Sequence, residues 1–511
     1  MHEQPSNVGK VYLVGGGPGD PGLLTLRGAE CLRRADVVLY DYLVNPRILA
    51  HAPKQAERIC LGRHGRDHLP SQDEIDRMLI DHAQRGRQVV RLKGGDPGVF
   101  AHVAEEVAAL VAAGVPYEIV PGITAATAAA SYTGIPITHA EAASAVAFIT
   151  GQERPGKEAP ALDYAALARF PGTLVFYMGV TSASHWTTTL ILDGKPAETP
   201  AAIVHRCSCP DQQVIRCTLG TVADEIERRR LRPPAVIIVG KVVELAAETS
   251  WFAARQLSGT TILVTRAEEQ ADALGERLAE LGAAVIYQPA IDIGPPADWA
   301  PLDRALDEIT SYDWLVFSSA NGVRYFCDRL RERGMDLRAL TGVKLAAIGP
   351  ATAEALAQYH LRADLVPGEY RAEVLADSLA AGAGGKRFLL VRASRGRELL
   401  AEELERAGAK VEQVVAYTST DVTSLEEDVA RALEEGRITW VTVTSSAIAR
   451  SLAMLLGEHF RRVRLASISP VTSQTLHELG AEPAVEAQTY TMEGLAAAIV
   501  AGAQSGATAA S

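Results

Sequence analysis

The chain has 511 residues, room for about three or four domains at roughly 150 residues each, so a peptide or a single small module is excluded. With 48% hydrophobic and 22% charged residues it has the composition of a folded globular protein, not of a disordered or fibrous one. The formal net charge of −12, from 50 Lys and Arg against 62 Asp and Glu, excludes a general affinity for nucleic acid or anionic membrane. Any polyanionic ligand must therefore find a local basic cleft.

Residues 1–10 hold no basic segment followed by an apolar core, and no later apolar run approaches the roughly 18 residues of a bilayer span. The expectation is a cytoplasmic protein with no membrane partner. Six cysteines (Cys31, Cys60, Cys207, Cys209, Cys217 and Cys327) are too few for a disulfide scaffold. The group Cys207, Cys209 and Cys217 lacks the paired spacing of a zinc site, so these read as reduced cysteines and no metal is expected.

Short β-branched runs alternate with Ala/Leu-rich helical stretches over residues 11–500, the rhythm of βα units and mostly parallel sheets. The first strand, VYLVGGG at 11–17, runs into Pro18, Gly19, Asp20, Pro21 and Gly22, with a helical stretch expected from Leu23 that Pro21 opens. Gly17, Gly19 and Gly22 satisfy G-x-G-x-x-G, and Asp41 closes the strand VVLYD about 20 residues later, which is the dinucleotide fingerprint. An NAD-dependent oxidoreductase is therefore one reading, although prolines at 18 and 21 stiffen the turn that must wrap a pyrophosphate.

Three further glycine turns follow strands. VVRLKGGDPGVF (89–100) places Gly94, Gly95, Asp96 and Pro97 before a helix containing Glu105 and Glu106. VPGITAATAAASYTGIPITH (120–139) places Gly122, Thr124 and Ala125, then Gly134 and Pro136, and TLVFYMG (173–179) places Met178 and Gly179. Ligands in open α/β sheets lie beyond the carboxyl ends of strands, so the four turns can line one site, while any single turn can equally do no more than end its strand.

The rhythm weakens over 245–259, and the boundary falls there: a first half at 8–245, a linker at 246–258, a second half at 259–500 and a small polar tail at 501–511 that frays. The second half is written twice. DWLVFSSANGVRYF from Asp313 aligns with TWVTVTSSAIARSL from Thr439, 126 residues on. KLAAIGPATAEALAQY from Lys344 aligns with RLASISPVTSQTLHEL from Arg464, 120 residues on. TILVTRAEEQADALGERLAELGAAV from Thr261 aligns with RFLLVRASRGRELLAEELERAGAKV from Arg387, again at 126. Two similar α/β lobes are predicted, one from about 259–292 plus 420–500 and one from about 297–416, with a ligand cleft between them. Matching strand ends carry Ser318, Ser319 and Thr352 in one repeat and Ser445, Ser446 and Thr472 in the other. Backbone N–H groups at those helix starts suit carboxylates, and N-capping is the simpler role for each hydroxyl. Ser469 stands where the other repeat has Gly349, and Tyr417 closes the strand joining the lobes.

In order, GGGPGDPGLLTLRGAECL, DVVLYDYLV, VVRLKGGDPGVF, VPGITAATAAASYTGIPITH, TLVFYMG and PPAVIIVGKVV resemble the uroporphyrinogen-III C-methyltransferases of the tetrapyrrole methylase family over residues 8–245. The repeated half resembles uroporphyrinogen-III synthase. The resemblance implies a two-lobed methylase fold, with lobes about 8–122 and 123–245, followed by a two-lobed, internally repeated flavodoxin-like α/β fold. It implies cyclisation of hydroxymethylbilane to uroporphyrinogen III with loss of water, then two methylations by S-adenosylmethionine to precorrin-2, on the route to sirohaem and cobalamin. Small tetrapyrroles are the implied partners, and a homodimer through the methylase half the implied assembly. A two-lobed binding protein without catalysis is the alternative for the second half.

By the same resemblance, Pro18, Gly94, Gly95, Asp96, Val99, Thr124, Ala125, Met178 and Cys207 line the methyl-donor pocket, and Asp41 is the general base, its ordinary alternative being a capping or turn aspartate. Arg63 stands where the family has a lysine proton donor. An arginine hardly ever releases its proton, so Arg63 reads as a bidentate clamp on a substrate carboxylate. The implied substrate carries eight carboxylates, for which Arg63, His64, Arg66, His68 and Arg91 are the basic candidates, with His139 as a further substrate contact. Ala140 and Gln152 replace a family arginine and histidine. In the synthase half, Tyr417 resembles the family's tyrosine near the cleft, a donor to the leaving hydroxyl or equally a core residue. Ser319, Thr352, Ser445, Ser446 and Thr472 are the candidate substrate contacts there.

Overall fold

The computed structural model describes residues 8–62, 70–153, 162–246, 250–266, 268–368, 372–395 and 398–508. The chain divides into two compact units, Met1–Thr260 with Leu278–Ala284, and Thr261–Arg277 with Val285–Ser511. Each holds two five-stranded sheets.

In the first unit, β1 (Val11–Gly15), β2 (Val37–Tyr40), β3 (Glu57–Cys60), β4 (Val89–Lys93) and β5 (Tyr117–Val120) form a parallel sheet in the order β3-β2-β4-β1-β5. Val11, Leu13 and Val14 are all fully buried, as a strand covered on both faces requires. The expected helix after the first glycine turn starts later than Leu23. Pro21 opens only a 3-10 turn, Pro21–Leu23, in which Asp20 accepts from the Gly22 N–H. Leu24 is extended, and the α-helix Leu26–Arg33 begins after Thr25, whose hydroxyl caps the Gly28 N–H at 3.1 Å.

The next sheet combines β6 (Val146–Thr150), β7 (Thr173–Tyr177), β8 (Pro200–His205), β9 (Gln213–Thr218) and β10 (Ala235–Val239) in the order β6-β7-β10-β8-β9. It departs from the parallel expectation. Only β6 and β7 run parallel, while β10 is antiparallel to both its neighbours and β8 and β9 form a hairpin. The connection at residues 206–212 is too short for a parallel crossover, which takes a dozen or more residues. Trp186 stacks on Phe176 at 4.0 Å and donates to the Gly179 carbonyl at 2.9 Å, fixing the turn after β7.

In the second unit, β11 (Thr261–Val264), β12 (Ala284–Tyr287), β13 (Ile291–Gly294), β14 (Trp314–Phe317), β15 (Lys344–Ala347), β16 (Arg387–Ala393), β17 (Lys410–Asp421), β18 (Trp440–Val443), β19 (Arg464–Ser467) and β20 (Pro483–Glu486) make two sheets, β12-β11-β18-β19-β20 and β13-β17-β16-β14-β15. The aligned segments of the repeat occupy equivalent places: β16 matches β11, β14 matches β18 and β15 matches β19. β17 pairs in parallel with β16 along its length, and its end, residues 418–421, pairs antiparallel with β13. That two-stranded ribbon lies where the chain passes from one repeat to the other.

Candidate functional sites

The first candidate site is built by close approach of backbones at three strand ends of the first sheet. Gly17 and Gly95 exchange N–H···O bonds at 3.1 and 2.8 Å, and Gly16 donates to the Lys93 carbonyl at 2.7 Å. A Cβ on Gly122 would lie 2.2 Å from the Gly95 carbonyl oxygen, so only glycine lets the third loop reach the other two. Asp96 ties them: its carboxylate accepts from Gly98 N at 2.7 Å and Gly122 N at 2.9 Å. By contrast a Cβ on Gly94 would meet nothing nearer than Leu43 Cβ at 3.8 Å, so the chain leaves open space there.

The second sheet closes onto this floor. Thr124 stands at the N-cap of the helix Ala125–Thr133 yet turns its hydroxyl to Tyr177 Oη at 2.7 Å, and the Ala126 N–H donates to the same oxygen at 2.9 Å. Met178 follows, exposed and in the left-handed region at φ 52°. The loop holding Pro18 meets the 206–209 turn: Asp20 N donates to Ser208 Oγ at 3.0 Å, and a Cβ on Gly19 would lie 3.0 Å from the Cys207 carbonyl oxygen. Thus the loops carrying Pro18, Gly94, Gly95, Asp96, Thr124 and Ala125 come together with the Cys207 turn, and Met178 joins them through Tyr177. Val99 closes the adjacent turn by donating to the Asp96 carbonyl at 3.2 Å. Sequence reasoning missed Leu43, Tyr177 and Phe100. Phe100 is exposed, sits at φ 53° and packs its ring 5.2 Å from that of Tyr177. A bulky residue in that region is strained, and such strain gathers at functional sites, but no residue type or spacing announces it.

Asp41 follows β2, with its N–H on the Leu92 carbonyl at 3.1 Å. Its Oδ1 lies 2.5 Å from an Arg91 terminal nitrogen and its Oδ2 accepts from Gly94 N at 3.4 Å. The expectation that Arg91 clamps a substrate carboxylate does not hold. Its side chain is 5% exposed, and besides Asp41 it binds Glu106 Oε1 through Nε at 3.1 Å. Lys93 donates to the same Glu106 oxygen at 2.6 Å, and burial foremost, then the Arg91 charge, lowers the Lys93 pKa. Neither Lys93 nor Glu106 was singled out from the sequence as part of this cluster. His139 turns Nδ1 onto the backbone N–H groups of Glu141 and Ala142 at 3.2 and 3.3 Å, closing its own turn. Arg63, His64, Arg66 and His68 lie outside the described residues. The dinucleotide reading also loses its footing: the α-helix that should start at the glycine loop starts at Leu26, and the Gly22 N–H is already bound by Asp20.

In the second unit, Tyr417 is buried. Its hydroxyl is 2.9 Å from Ser319 Oγ, its ring stacks on Tyr325 at 5.8 Å, and burial raises its pKa. Ser319 caps the helix Ala320–Glu332 by accepting from Gly322 N at 3.0 Å, Ser445 caps Ser446–Leu456 through Ile448 N at 3.2 Å, and Ser469 caps Pro470–Glu478 through Thr472 N at 3.4 Å. Ser446 accepts from Thr475 Oγ1 at 2.8 Å. Thr472 and Thr352 are corrections. Both residues are buried in the first turns of their helices, and Thr472 Oγ1 is 3.1 Å from Ser469 Oγ, so they pack within the fold and not on an open surface. Arg395, missed in the sequence, follows β16 beside Tyr417 and donates to Ser419 Oγ at 3.1 Å and Asp421 Oδ1 at 2.8 Å. Among the described residues no group of His, Cys, Asp and Glu is arranged to hold a metal ion, and no helix is long and apolar enough to cross a membrane.

Residues 10–223 match the family model for tetrapyrrole (corrin/porphyrin) methylases, and residues 223–497 that for uroporphyrinogen-III synthase HemD. The porphyrin biosynthesis protein HemD of Ruminiclostridium josui is 37% identical over 440 residues, 86% of this chain and 87% of that protein. The uroporphyrinogen-III C-methyltransferase of Bacillus subtilis (strain 168) is 38% identical over 346 residues, 68% of this chain and 71% of the relative. A siroheme synthase of Sodalis glossinidius (strain morsitans) is 48% identical over 258 residues, 50% of this chain and 54% of that protein, so the chain spans about half of it. Although the synthase match begins at residue 223, β10 at Ala235–Val239 lies between β7 and β8 and belongs structurally to the first unit. The chain belongs to the uroporphyrinogen-III synthase HemD family, carrying a tetrapyrrole methylase domain ahead of the synthase.

Proposed function

We propose that this bifunctional tetrapyrrole biosynthesis enzyme makes uroporphyrinogen III from hydroxymethylbilane with residues 259–500, and methylates it twice to precorrin-2 with residues 8–245, lobes about 8–122 and 123–245. The observation that carries the methylase reading is the backbone floor of Gly15, Gly95 and Gly122 with open space over Gly94, adjoining Asp41. S-adenosylmethionine, when bound, supplies an electrophilic methyl group on a sulfonium. The floor fits such a group, because main-chain oxygens can lie against a cation without acting as nucleophiles. Gly94, Gly95, Thr124, Ala125, Met178 and the main chain at Pro18 and Cys207 are the residues to hold it, and Asp96 and Val99 shape the loop. Asp41, oriented by Arg91, accepts the proton that the macrocycle loses from another of its positions once a fully substituted pyrrole carbon has taken the methyl group. Arg63 is assigned to a substrate carboxylate, which leaves the chain's own proton traffic to Asp41.

In the synthase half, Tyr417 hydrogen-bonds the departing hydroxyl, and the N–H groups at the helix starts after Ser319 and Ser445 receive carboxylates. We place the enzyme in the cytoplasm, where six free cysteines stay reduced. A homodimer through the methylase half is supported by Leu26, Tyr117 and Ile119, apolar side chains left exposed near the edge strand β5.

Incubating the full chain with hydroxymethylbilane tests both activities. The expected products are uroporphyrinogen III without S-adenosylmethionine and precorrin-2 with it. Uroporphyrinogen I in both tubes refutes the synthase assignment, and unmethylated product with the donor present refutes the methylase assignment.

A further inference from the structure

We infer that Glu106 is a positioning residue for methyl transfer, acting through Arg91 on Asp41; the inference rests on the reading of Asp41 as the base. Glu106 sits in the helix Val103–Ala112 with its side chain 0% exposed. Its Oε1 receives both Arg91 Nε at 3.1 Å and Lys93 Nζ at 2.6 Å, while Oε2 is buried with no hydrogen-bond partner among the described residues.

A buried carboxylate with one oxygen unsatisfied is a poor way to stabilise a fold, since well-packed apolar side chains of similar volume commonly do as well or better. What the group does accomplish is geometric. The Arg91 guanidinium is a rigid plane, and here it is held at three points: Nε on Glu106, one terminal nitrogen on the Leu92 carbonyl at 3.3 Å, and the other on Asp41 at 2.5 Å. With the plane fixed from behind, Asp41 has one oxygen pinned by Arg91 and the other facing Gly94 N at 3.4 Å, at the edge of the open floor. Lys93 balances the second carboxylate, so the quartet of Asp41, Glu106, Arg91 and Lys93 sums to no net charge. Both cations come from β4, whose next residues are Gly94 and Gly95, so one buried anion sets the base and the end of the strand beneath the donor site together.

The test is single-turnover methyl transfer to uroporphyrinogen III by the full-length protein carrying the isosteric change Glu106→Gln. The maximal rate should fall about 10- to 100-fold, the loss expected for a misaligned reacting group, with apparent KM for both substrates within about twofold of wild type. Added to Asp41→Asn, Glu106→Gln should cost nothing further. An unchanged maximal rate in Glu106→Gln, with Asp41→Asn slow, overturns the inference and leaves the base reading intact; wild-type turnover in Asp41→Asn overturns the base reading itself. Should Glu106→Gln not fold, Arg91→Lys, which keeps the charge and loses the planar fork, should lower the rate with KM preserved, and an unchanged rate there is equally fatal.

Discussion

Gly94→Ala separates the ligand reading of the glycine turns from the view that they merely end strands. The added methyl meets no protein atom closer than Leu43 Cβ at 3.8 Å, an ordinary contact, and Gly94 does not occupy the left-handed region, so the folded chain accepts it without strain. Replacing a glycine in a compatible conformation restricts the unfolded chain and stabilises by about 0.4–1 kcal/mol, which for a unit of this size raises its melting temperature by about 1–4 °C. If the open space over Gly94 is where the methyl donor lies, the same methyl overfills it. An extra methylene in a well-packed contact costs about 1–3 kcal/mol, which weakens binding about 5- to 150-fold. Calorimetric titration of the variant with S-adenosylhomocysteine, alongside its thermal melt, reads both quantities. A protein as stable as wild type that has lost most of its affinity is the expected result. Wild-type affinity at preserved stability refutes the placement of the donor over Gly94.

Gly122→Ala should behave in the opposite way: its Cβ would press to 2.2 Å from the Gly95 carbonyl, backbone that no rotamer change can move aside, so the first unit loses about 3 kcal/mol and melts about 6–12 °C lower, as scanning calorimetry would register. Tyr417→Phe removes a hydroxyl from Ser319, which keeps its Gly322 partner, so stability falls by only about 1 kcal/mol, while uroporphyrinogen III formation slows by about 10²-fold or more; a wild-type rate there leaves Tyr417 a core residue. Burial pushes the Cys207 thiol up to about 12 from 9.0, so its contribution to stability is complete below pH 9 and is lost as pH climbs toward 12. The melting temperature of the first unit should therefore fall over that alkaline range, less steeply in Cys207→Ala, and parallel curves for the two proteins would contradict it.

Strand ends were legible because their signals are local: VYLVGGG and VVRLKGG carry a buried-strand pattern and a glycine turn within a dozen residues, and these became β1, β4 and the floor of the candidate site. The repeat was legible for a related reason, since three aligned segments at offsets of 126 and 120 map onto β11 with β16, β14 with β18, and β15 with β19. Strand order in the second sheet was not, because β10 reaches its place between β7 and β8 through contacts remote in sequence. Arg91 was misread for the same kind of reason. An arginine beside a glycine turn resembles a ligand clamp until Glu106, fifteen positions on, folds back and buries it. Thr352 and Thr472 sit three residues past the position before each helix, and packing buries both residues.

The two halves meet the charge problem posed by a net −12 chain with different means. In the first unit Arg91 and Lys93, on the strand that leads into Gly94, are neutralised by Asp41 and Glu106, so the floor itself presents glycine main chain and suits a ligand carrying positive charge. In the second unit β14, β15, β18 and β19 each lead directly into a helix, Ala320–Glu332, Pro350–Gln358, Ser446–Leu456 and Pro470–Glu478. Three of those starts are capped by Ser319, Ser445 and Ser469, and the remaining one begins after Gly349 with no side-chain cap. A helix start carries the equivalent of about half a positive charge and several free N–H groups, which suits carboxylates without any added lysine or arginine. Four such starts at the carboxyl ends of parallel strands offer an acidic protein donors for a polycarboxylate, the role the sequence already suggested for the backbone at these positions.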